Sequence, residues 1–260
     1  MVKGLDRFKE HFAGYSDRYV LIGGTASSLS MAELGAEFRA TKDLDLVLCV
    51  ESLDREFVEA FWEFIRLGAY ENRQKSTGKR LFYRFHGPQT EGFPEMLELF
   101  ARVPDALDLK ADAAITPIPV DEEISSLSAI LMNDDYYDFV MACRTTIDGL
   151  SLVKADGLIP LKARAYVDLS NRKAAGEAVD TKNIRKHKND IFRLFTVLDR
   201  DAKVQLAATL RNDLASAFIA ISKDPPNLQS LGISRISFSE VMTDLRRIYG
   251  LPDSPEGAGE

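Results

Sequence analysis

Tyr19-Val20-Leu21-Ile22-Gly23-Gly24-Thr25-Ala26 and, farther on, Asp43-Leu44-Asp45-Leu46-Val47-Leu48 are the two stretches on which the reading of this chain turns. In the first, branched residues over 19–23 predict a short buried strand stopped by the glycine pair Gly23-Gly24. Good helix formers from Thr25 to Leu34 predict a helix directly behind it, with Leu29, Met31 and Leu34 facing inward and Gly35 weakening its end. In the second, Leu44, Leu46 and Leu48 alternate with Asp43, Asp45 and Val47. Residues 43–50 therefore predict a strand that sets both aspartates on one face.

Working outward, Phe57, Phe61, Phe64 and Ile65 recur at helical spacing and predict a helix from about Asp54 to Leu67 with these residues in the core. Glu71 to Lys79 is polar and reads as a loop. Arg80 to Phe85 and Met96 to Phe100 read as two paired strands, with His86-Gly87-Pro88 opening the connection between them. Leu127 to Met132 is a further apolar stretch, Tyr136 to Arg144 reads as a helix, and Leu150 to Val153 returns to the sheet. Beyond Leu158 the pattern becomes helical, over about 159–172, 182–198, 201–221 and 237–249. The last of these is opened by a Ser237/Glu240 capping box, and Pro225-Pro226 separates two of the others. The Gly/Pro/acidic tail from about residue 252 is expected to be disordered. The fold class expected is α/β (α+β): a mixed sheet flanked by helices over residues 1–155, then a helical domain over 156–260.

With 260 residues, the chain is long enough for two modest cores. Hydrophobic residues make up 45% and charged residues 28%, and no run reaches the roughly 20 apolar residues a membrane-spanning helix needs. The start, Met1-Val2-Lys3-Gly4-Leu5-Asp6, has no apolar signal core, so a cytoplasmic location and no membrane partner are expected. Cys49 and Cys143 lack ligand spacing and read as packing residues. Charge is uneven: ten Lys/Arg face five Asp/Glu between Lys154 and Arg193, so the remainder of a chain of net charge −7 carries −12. That one segment is suited to meet phosphates, although such runs usually form a solvated helix face.

The order of parts carries the chemistry. A glycine pair at a helix start lets backbone N–H groups approach a ligand, and the helix N-terminus adds partial positive charge, so a triphosphate can lodge there. Asp43 and Asp45 on one strand, joined by Glu98 from a later one, make an oxygen cluster suited to Mg²⁺. Two such ions stabilise both the attacking and the leaving oxygen of a phosphoryl displacement. Taken singly the signals are bland: a glycine pair is more often a tight turn, and Asp-Leu-Asp can be an exposed strand edge. Glu98 between Leu97 and Leu99 is harder to dismiss, because a buried carboxylate needs a metal or a partner. A dinucleotide-binding oxidoreductase is excluded by the missing GxGxxG spacing. His11 and His86 have no partnering motif.

Gly23-Gly24-Thr25-Ala26 together with Phe38-Arg39-Ala40-Thr41-Lys42-Asp43-Leu44-Asp45-Leu46-Val47-Leu48 resembles the nucleotidyltransferases of the AbiEii/AbiGii toxin type, within the polymerase-beta-like superfamily. The interval from Gly24 to Asp43 is longer than that superfamily's usual one. Leu158-Ile159-Pro160-Leu161-Lys162-Ala163-Arg164-Ala165-Tyr166 is similar to the family's lysine-bearing segment. His187-Lys188-Asn189-Asp190-Ile191-Phe192-Arg193-Leu194 looks like its Lys-x-Asp segment. The likeness runs from about residue 20 to 195.

The resemblance implies a polymerase-beta-like core and an enzyme that moves NMP from an NTP to an acceptor hydroxyl, releasing pyrophosphate. Asp43, Asp45 and Glu98 are the expected metal ligands and, with Lys162, the catalytic set. Gly23, Gly24, Thr25, Arg39, Lys42, Lys162 and Asp190 are the expected nucleotide-binding residues. Mg²⁺, as two ions, is the expected cofactor. The acceptor implied is RNA, a tRNA in a toxin–antitoxin or phage-defence setting, reached through the basic 154–193 segment, with an antitoxin protein as a further partner. Two alternatives stand beside it: a degenerate module that binds a nucleotide or a partner without turnover, and an enzyme that nucleotidylates protein.

Overall fold

Aromatic side chains decide the packing of the first unit. In the computed structural model, which describes residues 2–71, 83–103, 115–118 and 127–252, the chain divides into two units, Met1–Lys154 and Ala155–Glu260. Unit 1 runs α1 (Leu5–His11), β1 (Tyr19–Ile22), α2 (Gly23–Glu33), β2 (Asp43–Leu48), α3 (Arg55–Gly68), β3 (Arg84–His86), β4 (Met96–Ala101), β5 (Ile115–Ile118), β6 (Leu127–Leu131), α4 (Asp134–Ala142), β7 (Arg144–Ile147) and β8 (Leu150–Val153). Seven strands lie in the order β5-β6-β4-β2-β1-β8-β7, and β3 pairs with β4 off this path. The sheet is mixed: β1/β8, β2/β4 and β4/β6 are parallel, while β1/β2, β3/β4, β5/β6 and β7/β8 are antiparallel.

Register assigns the faces of the central strands. Tyr19 pairs with Leu48, Leu21 with Leu46, Leu44 with Leu97 and Phe85 with Leu97, so these residues share one face, and all are buried. Helices α1 and α3 cover it through rings: Phe8 meets Tyr19 and Phe64 edge-on, Phe12 meets Phe57, Phe61 and Phe64, and Phe61 meets Phe85. The opposite face carries Asp43, Asp45, Glu98 and Arg84. Helix α3 opens where the Asp54 side chain accepts from the Phe57 N–H at 2.8 Å, and Arg18 donates to the same carboxylate.

Helix α1 precedes the first strand, in a stretch to which no element is assigned above, and two local expectations change in this unit. Leu34 is not inward: α2 ends at Glu33, Leu34 is its C-cap residue, and it is 60% exposed. The helix expected to reach Arg144 ends at Ala142, and Arg144–Ile147 pairs with β8 as a hairpin. Its two-residue loop, Asp148-Gly149, has φ of +50° and +77°, the left-handed pair that such a hairpin requires. The polar loop expected at 71–79, all but Glu71, and the first residues of the strand expected at 80–85 lie outside the described residues, as does the tail beyond Pro252.

Cys49 is buried beside Met141, with its Sγ 3.7 Å from the Met141 Sδ, and burial pushes its thiol up to about 11. At pH 8 it is therefore a neutral, sheltered thiol. A thiol-reactive disulfide reagent is expected to modify the half-buried Cys143 in the native protein and Cys49 only after urea unfolding. Equal native rates for both would show that the end of β2 opens readily.

Unit 2 comprises α5 (Ala155–Ala174), α6 (Thr181–Phe195), α7 (Ala208–Lys223) and α8 (Phe238–Ile248), with a 3₁₀ turn at Gln229–Leu231. Leu158, Ile159, Ile191, Phe192, Leu210, Leu214, Phe218, Val241 and Leu245 form its core. Helix α5 starts before the expected residue 159 and contains Pro160. Pro160 has no N–H for the carbonyl of Asp156 one turn back, and the Tyr249 hydroxyl donates to that carbonyl instead, at 2.6 Å. The helix expected from about 201 begins only at Ala208; before it, the Val204 N–H donates to the Ile248 carbonyl at 2.8 Å. The capping box on α8 is present in both directions between Ser237 and Glu240. Among the described residues no helix is long and apolar enough to cross a membrane.

Candidate active site

Strand β1 runs without a loop into α2, so the first helical residues, Gly23, Gly24 and Thr25, sit where β1 meets β2. Gly23 has φ of +68°, a left-handed conformation, and a Cβ there would collide with the Asp45 carboxylate. At Gly24 a Cβ would lie 2.5 Å from the Thr41 Oγ1 and 3.6 Å from the Arg39 Nη2. Both glycines are thus demanded by close approach, one to a carboxylate and one to the segment preceding β2. Thr25, fully buried, donates from Oγ1 to the Asp43 carbonyl at 2.7 Å and ties the first turn of α2 to the start of β2. Ser27 donates to the Gly23 carbonyl at 2.6 Å. Ile22, at the N-cap of α2, makes no side-chain capping hydrogen bond.

Gly23→Ala is therefore expected to destabilise unit 1 by about 2 kcal/mol, the cost of a non-glycine residue in the left-handed region plus displacement of Asp45. Urea unfolding checks this. A change below roughly 0.5 kcal/mol would mean that neither the backbone conformation nor the contact is held firmly.

Asp43 and Asp45 are half-buried on β2, and the alternation sets them on one face with Leu44 and Leu46 on the other. In the parallel β2/β4 register Asp45 stands directly beside Glu98, and Asp43 beside Met96. Two carboxylates are thus adjacent across strands, with a third two residues along. Glu98 retains 12% side-chain exposure. In the antiparallel β3/β4 register Arg84 is opposite Glu98. The Arg84 Nε donates to the Glu98 Oε1 at 2.5 Å, and Nη2 contacts the same oxygen.

The donors fit a divalent cation by kind and by face: hard carboxylate oxygens, as Mg²⁺ prefers, on neighbouring strands. As they stand, no three acidic, histidine or cysteine side chains among the described residues form a metal-holding group. Glu98 is placed with Arg84, the arrangement of an ion-paired site. Arg39 stacks over Phe38, its guanidinium carbon 5.0 Å from the ring centroid, and donates to the Ala40 carbonyl. Lys42 is exposed at the threshold of β2, and its carbonyl accepts from the Glu95 N–H at 3.0 Å.

Lys162 and Asp190 are brought together within unit 2. Lys162, on α5, is 3% exposed and its Nζ lies 3.3 Å from the Asp190 Oδ2; Asp190, on α6, is fully buried and also faces the Arg193 Nη1 at 3.3 Å. The basic segment is partly neutralised by its own surroundings. Lys162, Arg164, Arg172, Lys188 and Arg193 all form ion pairs inside the unit, whereas Lys182 and Arg185 are exposed on α6.

Thr41 lies within the motif that leads to β2 without being a candidate residue there, and Arg84 carries no motif. The alternation of residues 84–86 against 96–98 contains Arg84's position, but only strand register puts it opposite Glu98.

No family model matches the chain, and no curated protein sequence matches it. Among solved structures, the crystal structure of JHP933 from Helicobacter pylori is similar over 94% of this chain and 87% of that chain, at 14% identity and a TM-score of 0.39.

Proposed function

We propose that the protein is a Mg²⁺-dependent nucleotidyltransferase that moves NMP from an NTP to an acceptor hydroxyl. The observation that carries this reading is the juxtaposition at one strand end: Asp45 paired in register with Glu98 and packed against Gly23, the first residue of a helix with an apolar N-cap residue. Asp43, Asp45 and Glu98 are the residues that would hold Mg²⁺. When bound, Mg²⁺ neutralises charge on the phosphates and on the attacking and leaving oxygens.

The chain's own groups do the rest. The N–H groups at the start of α2, with an apolar Ile22 at the N-cap, are suited to phosphate oxygens. Gly23 and Gly24 allow the backbone to come close, and Thr25 fixes the helix start relative to Asp43. Arg39 and Lys42, in the segment leading to β2, add positive charge beside Gly24 and Asp43. Glu98, low in exposure, takes up the proton of the acceptor hydroxyl.

RNA is the acceptor class we favour, on the exposed Lys182 and Arg185 and on the resemblance to tRNA-modifying toxins, which also points to an antitoxin partner. The test is incubation with Mg²⁺, each α-labelled NTP in turn and total RNA or protein extract. Label on RNA that requires the wild-type carboxylates supports the reading; label on protein alone moves the acceptor to a protein hydroxyl. A second reading, a module that binds nucleotide without turnover, is favoured by one observation, the Arg84–Glu98 pair, which satisfies Glu98 without a metal. Nucleotide binding with no label transferred to any acceptor would select it.

A further inference from the structure

We propose that Arg84 sets the divalent-cation affinity of this site by competing with the cation for the Glu98 carboxylate; the inference rests on the metal-site reading above. Glu98 lies between Leu97 and Leu99, both fully buried, and is itself little exposed. Its register neighbour on β2 is another carboxylate, Asp45. Two adjacent carboxylates with so little water around one of them need positive charge nearby. Arg84 supplies it, from the register position opposite Glu98 on the other edge of β4, through Nε at 2.5 Å and Nη2, both on Oε1.

The two partners are unequal in a way that suits exchange. Glu98 is 12% exposed, whereas the Arg84 side chain is 43% exposed and stands on a strand of three residues. On release, the guanidinium has water within reach, and a partly exposed pair of this kind is worth little. A divalent cation held by Asp45 and Glu98 serves both carboxylates at once, which Arg84, on the far side of Glu98 from β2, is not placed to do. Arg84 is therefore a positioning residue: it holds Glu98 in the metal-free protein, lowers cation affinity, and leaves Glu98 when the ion arrives.

The test uses Mn²⁺ as probe, with free ion counted by electron paramagnetic resonance over the full chain. Arg84→Ala is expected to tighten Mn²⁺ binding about three- to fivefold, the upper range for a partly exposed ion pair. Arg84→Lys, which keeps charge without the fork, should fall between. Glu98→Gln should weaken binding, and adding Arg84→Ala to it should restore nothing, because the competed group is gone. Should Arg84→Ala not fold by circular dichroism, Arg84→Gln carries the same expectation. Unchanged or weaker binding in the Arg84 variants, with Asp45 and Glu98 still required, overturns the competition and leaves the metal site standing. Mn²⁺ binding that is absent, or indifferent to Asp45→Asn and Glu98→Gln, overturns the metal-site reading and the competition with it.

Discussion

Asp45→Asn is expected to lower nucleotide transfer by roughly 10³-fold, the scale of losing a principal electrostatic contact to a transferring phosphoryl group. Asparagine keeps the shape that fits against Gly23 and the place beside Glu98 while removing the charge a cation needs. The fold should survive: the residue is half-buried, and asparagine fills the same space beside Glu98, so the free energy of urea unfolding of unit 1 is expected to hold to within about 1 kcal/mol. Stability and activity are thereby separated. Transfer retained within about tenfold of wild type, in a folded protein, would mean that Asp45 holds no catalytic metal.

Lys162→Met is expected to produce the largest loss of stability, about 3 kcal/mol, read from urea unfolding of the helical unit. The substitution keeps length and apolar contact but takes the ammonium away from Asp190, which has no exposed surface, while Arg193 stays 3.3 Å away. Breaking a buried pair by removing one partner typically costs about 3–5 kcal/mol; the low end applies because Arg193 remains at 3.3 Å. Lys162→Met/Asp190→Leu should recover most of the loss, since the uncompensated charge is gone and Arg193, 23% exposed, can turn to water. A single-variant cost under 1 kcal/mol would show that the pair contributes little to holding α5 on α6.

What the sequence discloses about this fold divides along the range of the forces involved. The strand of Asp43–Leu48 and the shared face of its aspartates follow from a period of two, which is local, and the alternation of Leu97, Glu98 and Leu99 is local in the same way. That Asp45 stands beside Glu98 is not local, because it depends on which strands pair and in which register. The place of Arg84 opposite Glu98 is non-local in the same way. Helix α2 is built largely of small residues with no apolar stripe, so packing on β1 and β2 decides its inward side, and Leu34 falls beyond its end. The strand at Arg144–Ile147 was legible in principle, since Asp148-Gly149 between alternating residues is a hairpin signal. The basic surplus of residues 154–193 is plain in the sequence, but composition does not reveal that Asp213 and Asp224, outside that segment, pair with Arg164 and Lys188.

The hydroxyl of Tyr249 on the Asp156 carbonyl has a bearing on the order in which unit 2 assembles. A proline six residues into α5 removes the partner of that carbonyl, and its replacement lies 93 positions later in the chain. During synthesis the opening turns of α5 leave the ribosome with an acceptor that only water satisfies. Burial of that turn becomes favourable once residue 249 has followed. The first helix of the unit is thus completed by residues at its far end, and a nascent chain stopped before Tyr249 should present the segment around Asp156 to proteases that the finished unit resists.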